Sequence, residues 1–289
     1  MSYARERAIS ILSLLYHWLN YRLSAKPQGF ERGILITSID IDVGNHVLGE
    51  INEGKNDRNV HLYLSEHAIG KIEEIVSPLL VDFFNAIEVP VTFAIRGQLL
   101  NVDQSMMELL SDSPIRHDIG AHGYSHKRFS DLTANEAENE LDMISRGMKK
   151  FSVSPKSFVF PRNSIAHLNL LRKHGYLCYR GHGTFLHDGM YIAKTGELYD
   201  VHPSLYVNKA VNPRQLKALL DICVAKKTPF HIWFHPKDFW SNKENARKSI
   251  CRVLYPLFQY AKKKESEGLL TFETMCSITE RLKRAHCVM

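Results

Sequence analysis

Short apolar runs recur along the chain with helix-periodic stretches between them, and this alternation constrains the fold more than any single residue does. Strand-like runs fall at 33–40, 89–95, 118–121, 157–160, 176–179, 198–201, 230–234 and 269–272. The stretches between them predict helices over 64–87, 103–111, 134–151, 164–174, 212–227, 243–266 and 273–284. Such alternation builds a parallel sheet covered by helices, so the expected fold is α/β, a distorted (β/α) barrel of about seven strands, closed or nearly so. Local signals agree. Thr133 precedes Glu136 at capping-box spacing, and Asn212-Pro213 sets a cap residue before a first-turn proline. No repeat, low-complexity tract or Gly/Pro/Ser-rich linker divides the 289 residues, which places one main domain at 30–289.

The alternation also says where polar residues meet. Asp40-Ile41-Asp42, His122-Gly123-Tyr124-Ser125-His126, Pro161-Arg162-Asn163 and His235-Pro236 each follow a strand-like run directly. In a parallel barrel those strand ends share one face, so residues remote in sequence converge on one pocket. Two imidazoles and one carboxylate are the ligand set of a catalytic zinc, and a second carboxylate beside them is suited to general-base work. Together they point to metal-assisted hydrolysis. His122 and His126 stand at i, i+4, which shares one side of a helical turn, and Gly120 and Gly123 relax the backbone around them.

Composition narrows the class. Hydrophobic residues make up 44% and charged residues 24%, ordinary for a soluble globular protein. The formal charge of +6 is mildly basic, and its clusters at Lys262-Lys263-Lys264 and 281–284 read as solvated helix faces. With no zinc-finger or RNA-recognition signature, no nucleic-acid partner is expected. Cys178, Cys223, Cys251, Cys276 and Cys287 are odd in number and never paired as C-x-x-C, so they read as reduced thiols of a cytoplasmic protein. Residues 1–29 form a separate segment, an amphipathic helix and linker, with Ile9, Leu12, Tyr16, Leu19 and Leu23 at helical spacing. The apolar stretch is shorter than a membrane span of about 20 residues and lacks a small-x-small cleavage site. It is expected either to pack on the domain or to rest on the inner face of a membrane, a peripheral contact within 5–23 made through Trp18, Tyr21 and Arg22.

Taken together, the motifs resemble those of the polysaccharide deacetylases, carbohydrate esterase family four. Ser38-Ile39-Asp40-Ile41-Asp42 is similar to the family's first motif, with Ile41 splitting the paired aspartates, and the string His122 to His126 is similar to its second. Phe158-Val159-Phe160-Pro161-Arg162-Asn163 resembles the third, with proline before the arginine, and Trp233-Phe234-His235-Pro236 the late histidine motif. The Phe-Pro-Arg-Asn form with Tyr179-Arg180-Gly181 looks closest to the bacterial branch associated with surface-polysaccharide synthesis. Carried over, the resemblance implies that Asp42, His122 and His126 hold one divalent metal, zinc first and cobalt, nickel or manganese next. Asp40 would be the base, His235 the acid that protonates the leaving amine, and Arg162 the cation that orients Asp40 and keeps it ionised. Asn163, Arg180, His231 and Asp238 are expected at the substrate. His231 competes with His235 for the acid role, and Asp238 is suited either to orient the acid or to cap the next helix. Asn45, His46, His61, His182 and His202 are pocket-wall candidates.

The expected activity is metal-dependent N-deacetylation of an N-acetylated sugar, a cytosolic polysaccharide or glycolipid precursor linked to a nucleotide or a lipid carrier. Three rivals stand beside it. Hydrolysis of a small linear or cyclic amide uses the same machinery, and a non-catalytic sugar-binding barrel would keep the cleft without the chemistry. An aspartyl phosphatase would also start from Asp40-Ile41-Asp42, but it needs a later acidic pair for magnesium, and no Asp-Asp follows.

Overall fold

The computed structural model describes residues 19, 21, 29–42, 76–102, 104–181, 189–239 and 243–287. Its strands are β1 Gly33–Ile41, β2 Thr92–Ile95, β3 Asp118–Ala121, β4 Ser157–Val159, β5 Cys178–Arg180, β6 Ile192–Thr195, β7 Leu198–Val201, β8 Leu205–Tyr206, β9 Pro229–Phe234 and β10 Leu270–Glu273. Its helices are α1 Ser77–Ala86, α2 Leu99–Val102, α3 Ser105–Ser111, α4 Ala134–Lys149, α5 Leu168–Lys173, α6 Pro213–Lys226, α7 Lys243–Ser266 and α8 Met275–Cys287. Both expected caps form: Thr133 and Glu136 make a full capping box on α4, and the Asn212 side chain accepts from Arg214 N at the start of α6.

All strands join one sheet in the order β6-β7-β5-β4-β3-β2-β1-β9-β8, with β10 paired to β1. Every pairing is parallel except the β6–β7 hairpin. β1 is the hub. Its first half pairs with β10, its second half with β2, and its other edge with β9, which explains why all nine of its residues are buried. The sheet ends on β6 and β8, and His202-Pro203-Ser204 carries the chain from β7, beside one end, to β8 at the other, so the chain itself spans the seam of the barrel. Ser204 N donates to His231 O at 2.7 Å, continuing the β8–β9 pairing, and the His231 ring reaches across the seam to Val201 O, 3.0 Å from its Nδ1. The fold is therefore the expected curled, helix-covered sheet, with ten strands among the described residues in place of about seven.

Side chains alternate along β1 as a strand requires. Leu35, Ile39 and Ile41 pack into the core beneath the helices, while Ile34 and Ile36 face inward with Val159, Cys178 and Val201. Met275 and Ile278 of α8 close the floor of this interior. Continuing the inward row upward gives Ser38, Asp40 and Asp42, so the interior turns from apolar to polar toward the C-terminal ends of the strands.

Of the first segment, Leu19 and Tyr21 are described, both helical; the rest of the proposed amphipathic helix lies outside the described residues. Tyr21 is fully buried and its hydroxyl donates to Ser204 O at the seam. That corrects its place in a membrane-facing set: a buried phenol bonded to the barrel cannot also meet lipid. Among the described residues no helix is long and apolar enough to cross a membrane. Cys178, Cys223, Cys251 and Cys276 are free thiols.

Candidate active site

At the polar end of the barrel, Asp40, Asp42, His122, His126, Phe160, Arg162, Asn163, Arg180, Trp233, His235 and Lys237 line one pocket of about 230 Å³. The residues that the strand ends were expected to bring together do converge. Asp42, His122 and His126 each present a ligand atom, and these atoms lie within 4.8 Å of one another. His122 Nδ1 lies 2.8 Å from the carbonyl of Val159, so it carries the proton and leaves Nε2 with a free lone pair. His126 Nδ1 is buried without a hydrogen-bond partner. Burial lowers both imidazoles below their ordinary value of 6.5, against the pull of the aspartates, and so keeps them neutral. Neutral imidazoles with unspent lone pairs beside a carboxylate fit a divalent cation.

The histidine segment is not a helical turn. It is a loop with Gly123 at φ 63° and His126 at φ 65°. A Cβ on Gly123 would come 2.8 Å from Pro161 Cγ, so only glycine lets the loop lie against the third motif. Two residues that sequence reasoning missed hold the loop in this left-handed path. Glu140 of α4 accepts from Tyr124 N at 2.9 Å and Ser125 N at 2.8 Å, and Arg96 Nη2 donates to Ser125 O at 2.9 Å. A signal existed for Glu140. It falls on the buried stripe of α4, between Ala137 and Leu141, where an apolar residue belongs.

Asp40 is clamped by Arg180, whose Nη1 donates to Oδ1 and Nη2 to Oδ2, each at 2.6 Å. Burial alone would raise the carboxyl of Asp40, but the Arg180 guanidinium, with help from His122 and His235, outweighs it and lowers it from 3.8 to about 2. This reassigns two residues. The cation that keeps Asp40 ionised is Arg180, expected at the substrate, while Arg162 stands exposed on the pocket rim at φ 53°. Arg180 is in turn set by Ser38 Oγ, which accepts from its Nη1 at 3.1 Å, and by Trp233, whose ring lies 4.2 Å from the guanidinium carbon.

His231 does not reach the pocket. It is fully buried, with Nδ1 3.0 Å from Val201 O and Nε2 2.9 Å from Ser38 Oγ, and burial with the nearby Arg180 lowers it to about 3. A neutral imidazole with both nitrogens engaged can neither bind substrate nor donate a catalytic proton, which corrects that expectation. His235 carries the acid geometry instead. Its Nδ1 meets Asp238 Oδ2 at 3.0 Å, and its Nε2 points between the aspartates, 3.8 Å from Asp40 Oδ2 and 3.7 Å from Asp42 Oδ2. Burial works against its charge, yet Asp42 and Asp238 more than offset it, so its pKa is raised. Asp238 thus orients the His235 ring and, through its Oδ1, accepts from the Tyr206 hydroxyl. Asn163 lines the pocket at φ 52°. His202 is buried against Tyr191, stacked at 4.2 Å, and is not among the pocket-lining residues. Asn45, His46, His61 and His182 lie outside the described residues.

Comparison with known proteins meets this geometry. A family model described as polysaccharide deacetylase matches residues 70–178. Residues 70–178 are a polysaccharide deacetylase family segment. The deacetylase match contains His122, His126 and the Pro161-Arg162-Asn163 turn; Asp40, Asp42 and His235 join them through the barrel. A curated Helicobacter pylori relative described as a peptidoglycan deacetylase is 28% identical over 106 residues, 36% of this chain and 36% of that protein, so the match spans about a third of each. A solved structure from Mycobacterium smegmatis, described as a polysaccharide deacetylase, aligns with a TM-score of 0.70 over 91% of this chain and 95% of its own, at 15% identity. An allantoinase structure aligns at 0.61 over 88% of this chain and 91% of its own, at 13% identity. Identities this low show the shared deacetylase fold, and the fold alone does not choose a substrate.

Proposed function

We propose that the chain is a metal-dependent hydrolase of non-peptide C–N bonds, an N-deacetylase that removes the acetyl group from an N-acetylated sugar. The observation that carries this reading is a ligand triad, Asp42, His122 and His126, facing an Arg180-clamped Asp40 and an Asp238-held His235 across one small pocket. Bound there, a divalent cation would polarise the acetamido carbonyl and make a water molecule acidic enough to attack it. Two imidazoles and a carboxylate suit zinc among such cations.

The remaining steps belong to side chains. Asp40, held ionised by Arg180, takes the proton of the attacking water. His235 starts protonated and hands its Nε2 proton to the departing amine, while Asp238 keeps the ring turned toward the pocket. Burial makes each of these charges act at short range and low dielectric. Trp233 and Tyr206, with ring centroids 4.7 Å apart, offer an apolar wall against which the face of a sugar ring can lie.

The scattered free thiols support a cytoplasmic setting, and there the substrate would be a precursor of a surface polysaccharide or glycolipid, carried on a nucleotide or a lipid. The allantoinase likeness is the observation behind a second reading, hydrolysis of a small linear or cyclic amide. An acetate-release screen over N-acetylhexosamines free, nucleotide-linked and lipid-linked, run beside small amides and ureides before and after chelation, separates the two. Acetate release from the sugars alone, lost with metal removal and restored on re-addition, is the expected result. Turnover of the ureides alone would replace the sugar reading.

A further inference from the structure

Lys237 has no part in the chemistry above, yet it touches the centre of it. Its Nζ donates to Asp42 Oδ2 at 2.8 Å, and that same oxygen stands 3.8 Å from His126 Nε2 and 3.7 Å from His235 Nε2. The ammonium is therefore bonded to the oxygen that faces the ligand imidazole. Asp42 directly follows β1 and is buried, with its side chain 7% exposed, whereas the Lys237 side chain is 26% exposed and rises from the short turn Pro236–Phe239 at the pocket edge. A lysine on a flexible stem can leave; the aspartate cannot.

We propose that Lys237 is a built-in competitor for the metal site, an ammonium that a divalent cation must displace from Asp42 Oδ2 in order to bind. The inference rests on the ligand assignment in the proposed function. Two full positive charges on one buried carboxylate oxygen repel strongly at this range, so the exchange is one cation for another rather than an addition. Metal affinity is then weaker than the same three ligands would give alone. The ion pair meanwhile satisfies a buried carboxylate in the metal-free chain, which otherwise carries the cost of an uncompensated charge. The opposite role for Lys237 is an anchor that orients Asp42 from outside and strengthens its hold on the metal.

Zinc titrated into the chelator-stripped full chain, followed by competition with a chromogenic chelator, distinguishes these roles. Lys237→Met keeps the length and removes the charge, and it is expected to bind zinc about 10- to 100-fold more tightly than wild type, while Lys237→Arg stays near wild type. Equal or weaker binding by Lys237→Met overturns the competitor role. Amine-selective acetylation read by peptide mass spectrometry gives an independent measure on the unmutated chain: zinc should raise modification of Lys237, and unchanged or lower labelling counts against displacement. If neither wild type nor Lys237→Met binds zinc, the ligand assignment itself fails; if both bind alike, only the role of Lys237 does.

Discussion

Asp40 and Asp118 are the same residue type, both buried on parallel strands of the same sheet, and they are held in opposite ways. Asp40, near the C-terminal end of β1, is clamped by a full positive charge and stays ionised, its carboxyl lowered to about 2. Asp118 begins β3 at the other end. Its Oδ2 accepts from Ser157 Oγ at 2.6 Å, Thr92 Oγ1 at 2.9 Å and Cys276 N at 3.1 Å. There burial dominates, these neutral dipoles only partly offset it, and the carboxyl is raised above 3.8. Hydroxyls and a backbone N–H do not replace a guanidinium when the charged form must survive out of water. The result is an ionised carboxylate at the pocket and, at the other end, a pin that fastens the first turn of α8 to the barrel floor.

The largest effect that sharpens this contrast lies at the charged end. His122→Ala and His126→Ala are each expected to lose bound metal and activity together, measured by elemental analysis and acetate release. Full metal occupancy in the double variant would remove both residues from the ligand set. Next comes the aspartate pair itself. Asp40→Asn keeps the shape but cannot take a proton, so turnover should fall by about two to four orders of magnitude with metal retained. Asp118→Asn should leave turnover near wild type, and a comparable loss there would break the distinction between base and pin. A smaller effect concerns the acid. With His235 raised and proton-loaded, the descending limb of the rate against pH should follow its deprotonation and flatten in His235→Ala. His231→Ala should leave that limb in place.

The smallest effect is on stability in chelator-treated protein, and its sign differs between the two aspartates. Asp40 has a folded value of about 2 against an ordinary 3.8, so it contributes about 2 kcal/mol that is fully present above pH 3.8 and lost as pH falls through about 2. Asp118 is raised when folded, so its contribution is present below the ordinary value and lost as pH rises through the folded one. Thermal melts should therefore show Asp118→Asn gaining on wild type as pH rises and Asp40→Asn losing ground above pH 4. Parallel trends in the two variants would contradict opposite electrostatic roles.

Much of the fold was legible because short strands and amphipathic helices announce themselves by period. The runs at 33–40, 118–121, 198–201 and 230–234 became β1, β3, β7 and β9 within about a residue, and both caps formed as their spacing implied. Shorter pieces were hidden. β8 is two residues long, and β6 buries only its first residue, so neither leaves an apolar run to detect. The hairpin β6–β7 also turns around Glu197 and a Gly196 at φ 63°, a signal too brief to separate from an ordinary loop.

The sequence by itself determined which residue types reach the top of the barrel, because strand ends in a parallel sheet point one way and alternate residues share a face. Asp40 and Asp42 had to look inward together, and His122, His126 and His235 had to meet them. Only the tertiary structure decided who pairs with whom. Arg180 ends β5 and Arg162 follows the neighbouring β4, and nothing in their local sequence says that one grips Asp40 while the other stands on the rim. His231 and His235 lie four residues apart, yet one is sealed between Ser38 and Val201 and the other is held open by Asp238. Pairing of buried charges depends on ångström-scale distance and on the local exclusion of water, and both are set by packing between segments far apart in the chain.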